Sequence, residues 1–129
     1  MRTATIVAIA ALIAVPAFGQ DGDTRLDTDA FFELMDGRTA HFSVGGKVYG
    51  SEAYHPDQRV IWRDTDGQCM EGVWREIADY LCFQYQTPSC WQVFRTSEDD
   101  HYAVSSDGHR VEFERIEDGA FDCTGAPLS

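Results

Sequence analysis

Turn signals recur every eight to twelve residues from Gly37 onward. They are Gly45-Gly46, His55-Pro56-Asp57, Thr65-Asp66-Gly67, Glu76–Asp79, Thr87-Pro88-Ser89, Ser97–Asp100, Ser106-Asp107-Gly108 and Glu117-Asp118-Gly119. The segments between them are short and rich in Val, Ile, Tyr, Phe and Trp. Such a string reads as consecutive β-hairpins. Strands are expected at 39–44, 47–54, 59–64, 69–75, 80–86, 90–95, 101–105 and 109–116, with a further short candidate at 120–123. A parallel sheet is excluded, because each crossover needs a dozen or more residues that the spacing does not leave. The expected fold is all-β: a small antiparallel meander that closes into a barrel and so removes its exposed edges. A two-sheet sandwich is the alternative.

Ahead of the strands, the polar stretch from Gln20 to Asp27 leads into TDAFFELMDG. Asp27 or Thr28 suits a helix N-cap, Asp29 and Glu33 sit early enough for the positive end, and Gly37 ends the run. Phe31, Phe32, Leu34 and Met35 supply an apolar side. A short helix lying across one end or the open side of the barrel is therefore expected.

Alternation along the strands proposes a core. Leu81, Phe83 and Tyr85 share a face, as do Met70, Gly72 and Trp74 on the preceding strand. A hairpin centred on Thr87-Pro88 sets Phe83 opposite Val93 and Tyr85 opposite Trp91. Tyr54, Val60 and Trp62 share a face in an earlier hairpin, and Val104, Val111 and Phe113 extend the list. Gly72 leaves space for a large ring over the backbone, or for a bend in the strand.

The chain contains four cysteines, Cys69, Cys82, Cys90 and Cys123. Their spacing contains no CxxC, which argues against a zinc site or a thioredoxin-like pair and in favour of two structural disulfides. Three pairings exist. Cys82–Cys90 with Cys69–Cys123 is the first choice; a tight hairpin at Thr87-Pro88 would set Cys82 several rungs from Cys90 and make Cys69–Cys90 more attractive.

The opening MRTATIVAIAALIAVPAFGQ has a positive start at Arg2, an apolar stretch from Ile6 to Val15 and small residues at Ala17 and Gly19. This is the pattern of a secretory signal peptide over residues 1–19, leaving residues 20–129 as one domain. The apolar stretch falls short of the roughly 20 residues of a membrane span. The formal net charge of the whole chain is -12; loss of Arg2 with the leader makes it -13. Nucleic acid is disfavoured as a partner by this charge, and so is anionic lipid. The expected location is the periplasm or the exterior, without stable membrane insertion.

Chemistry is sparse. His41, His55, His101 and His109 form no HExxH and no close pair. Asp64-Thr65-Asp66-Gly67 lacks the spacing and closing Glu of a calcium loop. Ser105, Asp107 and His101 or His109 lie around a turn, without a GxSxG elbow. No metal, cofactor or catalytic residue is expected. Glu52 is the polar residue that stands out. A turn at Pro56-Asp57 sets it opposite Trp62 and on the aromatic side of its strand, where a carboxylate must be paired or hydrogen-bonded. Arg38, Arg75 and Arg95 are candidate partners. Tyr54, Trp62, Trp74 and Tyr85, with Glu52, form the candidate ligand-binding set; a solid core built from the same rings is the plainer reading.

The ordered combination Gly37-Arg38-Thr39, Glu52-Ala53-Tyr54, Trp62, Gly72-Val73-Trp74, Cys82-Phe83 and Cys90-Trp91 resembles a family of small secreted alphaproteobacterial proteins of uncharacterised function. The resemblance spans most of residues 28–116. It implies a lipocalin-like barrel, a recurrent Cys82–Cys90 disulfide and an additional Cys69–Cys123 pair, and it brings no catalytic residues. The sequence departs from lipocalins in lacking a GxW near its mature start. The resulting expectation is a non-enzymatic recognition protein for a small apolar molecule. Its alternative is a solid barrel that binds or inhibits an envelope protein.

Overall fold

A computed structural model of the chain describes residues 22–123, together with Thr3 and Ala4. Apart from those two positions, the expected leader lies outside the described residues. The elements in order are β1 (Thr24–Arg25), α1 (Thr28–Met35), β2 (Arg38–Val44), β3 (Lys47–His55), β4 (Arg59–Asp64), β5 (Cys69–Ile77), β6 (Tyr80–Gln84), β7 (Ser89–Arg95), β8 (His101–Ser105) and β9 (Arg110–Asp118). Strands β2 to β9 pair antiparallel in sequence order, and β9 returns to β2. The result is a closed eight-stranded antiparallel barrel with one short helix. The sandwich alternative is thereby set aside. No strand forms at 120–123.

The short lead-in β1 completes an edge. β6 covers β7 only from Ser89 to Trp91, and β1 takes up the remaining edge at Phe94 and Arg95. Helix α1 follows directly. Asp27 caps it by accepting from the Ala30 amide at 2.8 Å. Its Phe31 ring packs edge-on against Tyr54, Trp74 and Phe83, at centroid distances of 5.5, 5.3 and 6.4 Å. Phe31 and Met35 are fully buried, whereas Phe32, expected on the same apolar side, stays 43% exposed. A single helix over a barrel end buries one stripe, and Phe32 falls beside it.

Two corrections concern register and face. The β6–β7 hairpin centres on Gln86, not on Thr87-Pro88: Leu81 faces Trp91, Cys82 faces Cys90 and Phe83 faces Ser89. The Cys82–Cys90 disulfide spans this rung, with Cα atoms 4.0 Å apart. Phe83 thus moves four places from its expected partner Val93. An even shift preserves the alternation, so Phe83, Trp91 and Val93 remain on the inner side. Val104 is the second correction. It pairs with Arg110 and stands on the outer side, while Ala103, facing Val111, takes the inner position.

A smaller apolar cluster lies on the outside. Ala53, Ile61 and Cys69 point outward from β3, β4 and β5 and are covered by Ala120, Phe121 and Cys123 of the tail. The Cys69–Cys123 disulfide pins this strap. His55 bonds the Phe121 carbonyl at 2.8 Å, and Arg63 lies 4.1 Å over the Phe121 ring. Two disulfides fit an oxidising compartment. Among the described residues no helix is long and apolar enough to cross a membrane.

Candidate functional site: a carboxylate in an aromatic cavity

Eight strands enclose an interior that side chains either fill or share with one small ligand. Here the interior holds a cavity of about 260 Å³. Nine of its seventeen lining residues are aromatic. The helix contributes Phe31 from one end; Tyr49, Met70, Gln86 and Thr87, all exposed, line it at the other.

Glu52 lies on this wall and is buried. The β3–β4 register places it opposite Trp62, with Tyr54 opposite Val60, as alternation across the Pro56 turn requires. Its partners are not arginines. The Tyr54 hydroxyl donates to Oε1 at 2.5 Å and the Tyr85 hydroxyl to Oε2 at 2.6 Å. Arg38 instead bonds Asp118 and Arg95 reaches Asp99, both at the surface, and Arg75 is exposed. Burial pushes the Glu52 carboxyl up to about 7, against the opposing pull of the two phenol hydrogen bonds. Both phenols are pushed above their ordinary range, first by burial and then by the neighbouring carboxylate. They therefore stay neutral donors.

Glycines make room for the rings. A Cβ on Gly72 would stand 2.7 Å from the Gln84 carbonyl and 2.8 Å from the Tyr85 ring. Gly72 is thus the floor on which Tyr85 lies, and that seat holds the hydroxyl at Glu52. Gly50 serves Trp62 in the same way: a Cβ there would collide with the indole. Trp62 is further stacked on Phe42 at 5.9 Å and touched by Tyr49 at 5.4 Å.

Two β-bulges, one on each side of Phe42, shape the opening. On β3, Gly50 pairs with Phe42 and Val48 with Ser43, so Tyr49 is the extra residue. On β9, Phe113 pairs with Phe42 and Arg115 with His41, so Glu114 is the extra one. A bulge reverses the alternation beyond it and re-aims side chains. Tyr49, which strict alternation from Glu52 would turn outward, reaches the cavity. Phe113 and Ile116 both pack on the inner core although they differ in parity.

Of the five expected site residues, Glu52, Tyr54, Trp62 and Tyr85 line the cavity together. Trp74 does not. It is buried between Phe31 and Phe32 under the helix. Tyr49, Trp91 and Phe113 line the cavity and were not among the expected site residues. Trp91 and Phe113 were readable as core, and Trp91 donates its indole N–H to Ser89 at 2.9 Å. Nothing in the sequence marked Tyr49, because no local signal announces its bulge.

The histidines lie elsewhere. His41 bonds Ser51 and Glu117, each at 2.7 Å, and His101 packs on Phe113 from the barrel wall. The Ser105 hydroxyl accepts from the His109 amide within a hairpin turn. Asp64 caps its own turn by accepting from the Asp66 and Gln68 amides. No group of metal-ligating side chains occurs among the described residues. No protein-family model matches this chain, and no curated protein or solved structure matches it.

Proposed function

We propose that this protein is a lipocalin-like recognition protein of the periplasm or exterior that binds a small, mainly apolar molecule inside its barrel. The observation that carries this reading is the cavity of about 260 Å³, walled by aromatic rings around one buried carboxylate. Ligand sites characteristically combine an apolar wall with a few convergent polar groups. A dry apolar cavity of about 150 Å³ already holds benzene, so this one has room for a ring with a short substituent. The two disulfides support an oxidising location. The alternative of a solid barrel serving a protein partner has less support, because its interior is not filled.

Titration with small aromatic compounds, followed by tryptophan fluorescence, tests the reading. Trp62 and Trp91 line the cavity and report occupancy. Ala103 is buried on the same wall, and A103F fills the space. A saturable change that A103F abolishes, with the far-UV spectrum intact, is the expected result. The absence of any saturable change, or one indifferent to A103F, overturns it.

A further inference from the structure

Among the described residues, Glu52 is the one carboxylate that lines the cavity, and no Lys, Arg or His lines it. Each carboxylate oxygen accepts a single phenol. A carboxylate offers about four lone-pair sites, so acceptor capacity remains toward the cavity. The two donors are neutral, so the ionised form of Glu52 has no counter-charge among the described residues that line the cavity. Such a charge is costly unless a counter-charge completes it. Aromatic rings make up more than half of the lining, and an aromatic face holds a cation favourably. The formal charge of -12 across the chain attracts cations toward the opening and repels anions.

We propose that the cavity selects small ligands bearing a cationic nitrogen, an aryl-alkyl amine being the class that fits, with the nitrogen at Glu52 and the ring against Trp62, Phe83 and Trp91. This rests on the pocket reading above and deepens it. An ammonium offers three donors to the free acceptor sites, and one ring with a two-carbon tether suits the volume. An anionic ligand meets Glu52 unfavourably, and a neutral one leaves its charge unmatched.

Proton linkage gives the binding a pH signature. The titratable groups that face Glu52 are Tyr54 on its own strand and Tyr85 beyond β6, both held neutral. Ala40 on β2 and Trp62 on β4 stand opposite it, and Phe31 comes from the helix; none of these titrates. His41, next to Ala40, is engaged with Ser51 and Glu117. With the carboxyl at about 7 in the empty cavity, a cation must displace a proton below that pH. Affinity for it then falls by about a hundredfold between pH 8 and pH 5.

Calorimetric titration of the disulfide-intact protein with three ligands of matched shape tests this. They are 2-phenylethylamine, 2-phenylethanol and 3-phenylpropionate. The amine is expected to bind at least about tenfold more tightly than the alcohol at pH 8, with the carboxylate weakest. Glu52→Gln is expected to erase the difference between amine and alcohol. Lowering the pH to 5 is expected to weaken the amine alone, a comparison on the unsubstituted protein that does not depend on how the variant folds. If the alcohol or the carboxylate binds as tightly as the amine, or the amine is indifferent to pH, the cation preference is overturned and the pocket stands. If none of the three binds, and the fluorescence titration is also silent, the pocket reading falls with it.

Discussion

Glu52 shows what one buried charge costs and what surrounds it in compensation. An unfolded glutamate titrates near 4.5, and the folded one is pushed up to about 7 by burial. Between those values the folded state holds the extra proton, so this group's contribution to stability grows as pH falls through 7. It levels off below about 4.5, and above 7 the buried charge costs its full amount. Glu52→Gln is isosteric and uncharged. It is expected to be more stable than the parent by about 3 kcal/mol at pH 8, the difference vanishing near pH 4.5. Urea unfolding of both proteins across that range checks it. The difference is the informative quantity, because His101, lowered chiefly by burial, drives the parent's stability the opposite way in acid. Gly72→Ala reaches the same site through packing. Its Cβ would meet the Tyr85 ring and the Gln84 carbonyl, at a cost of about 1–3 kcal/mol. It is expected to move the Tyr85 hydroxyl off Glu52 and raise the carboxyl's titration further, measured by carbon NMR of the glutamate side chains; an unchanged midpoint contradicts this. The inward aim of Glu52 and the floor at Gly72 were legible from alternation and from the missing side chain. The partners of Glu52 were not. Arginine is the usual counter-ion of a buried carboxylate, whereas Tyr85 reaches it from a loop whose register depends on the facing cysteines.

At the scale of elements, the helix, its Asp27 cap and the eight barrel strands were legible, because turn residues and alternation are local signals. Bulges and registers were less so. A bulge is one extra residue in an otherwise regular pattern, and its effect on Tyr49 and Phe113 depends on strands far away in sequence. Disulfide pairing likewise required the register: Cys82 and Cys90 face each other only because the turn centres on Gln86. The two bridges do different work. Cys82–Cys90 closes a loop of sequence separation 8 and locks one rung, whereas Cys69–Cys123 spans 54 and straps the tail over Ala53 and Ile61. Chain-entropy arguments assign about 2–3 kcal/mol to the short loop and about 4 kcal/mol to the long one. Paired Cys→Ala variants are expected to rank in that order by denaturant unfolding, the Cys69/Cys123 variant being the weaker protein. The reverse order would show that the rung, not the strap, holds the barrel.

For the molecule as a whole, closure decides the character of the interior. Joining β9 to β2 leaves an interior cavity, with Phe31 of the helix at one end and Tyr49 and Thr87 framing the open other end. The closed meander was legible because evenly spaced turns leave few other arrangements. The state of its interior was not, since the same rings build either a solid core or a wall. That difference depends on a few features: two glycines beneath Trp62 and Tyr85, two bulges beside Phe42, and a carboxylate where an apolar side chain would pack. An acidic surface and an aromatic, carboxylate-bearing interior together suit a small cationic or neutral guest better than nucleic acid. Native mass spectrometry of the gently purified protein, before and after denaturation with disulfides intact, tests the occupied-cavity account most directly. The account predicts a polypeptide four hydrogens lighter than its reduced form, carrying a discrete small mass that denaturation releases or, when emptied, taking up one equivalent of 2-phenylethylamine. A bare protein that takes up neither this amine nor 2-phenylethanol at saturating concentration would contradict it.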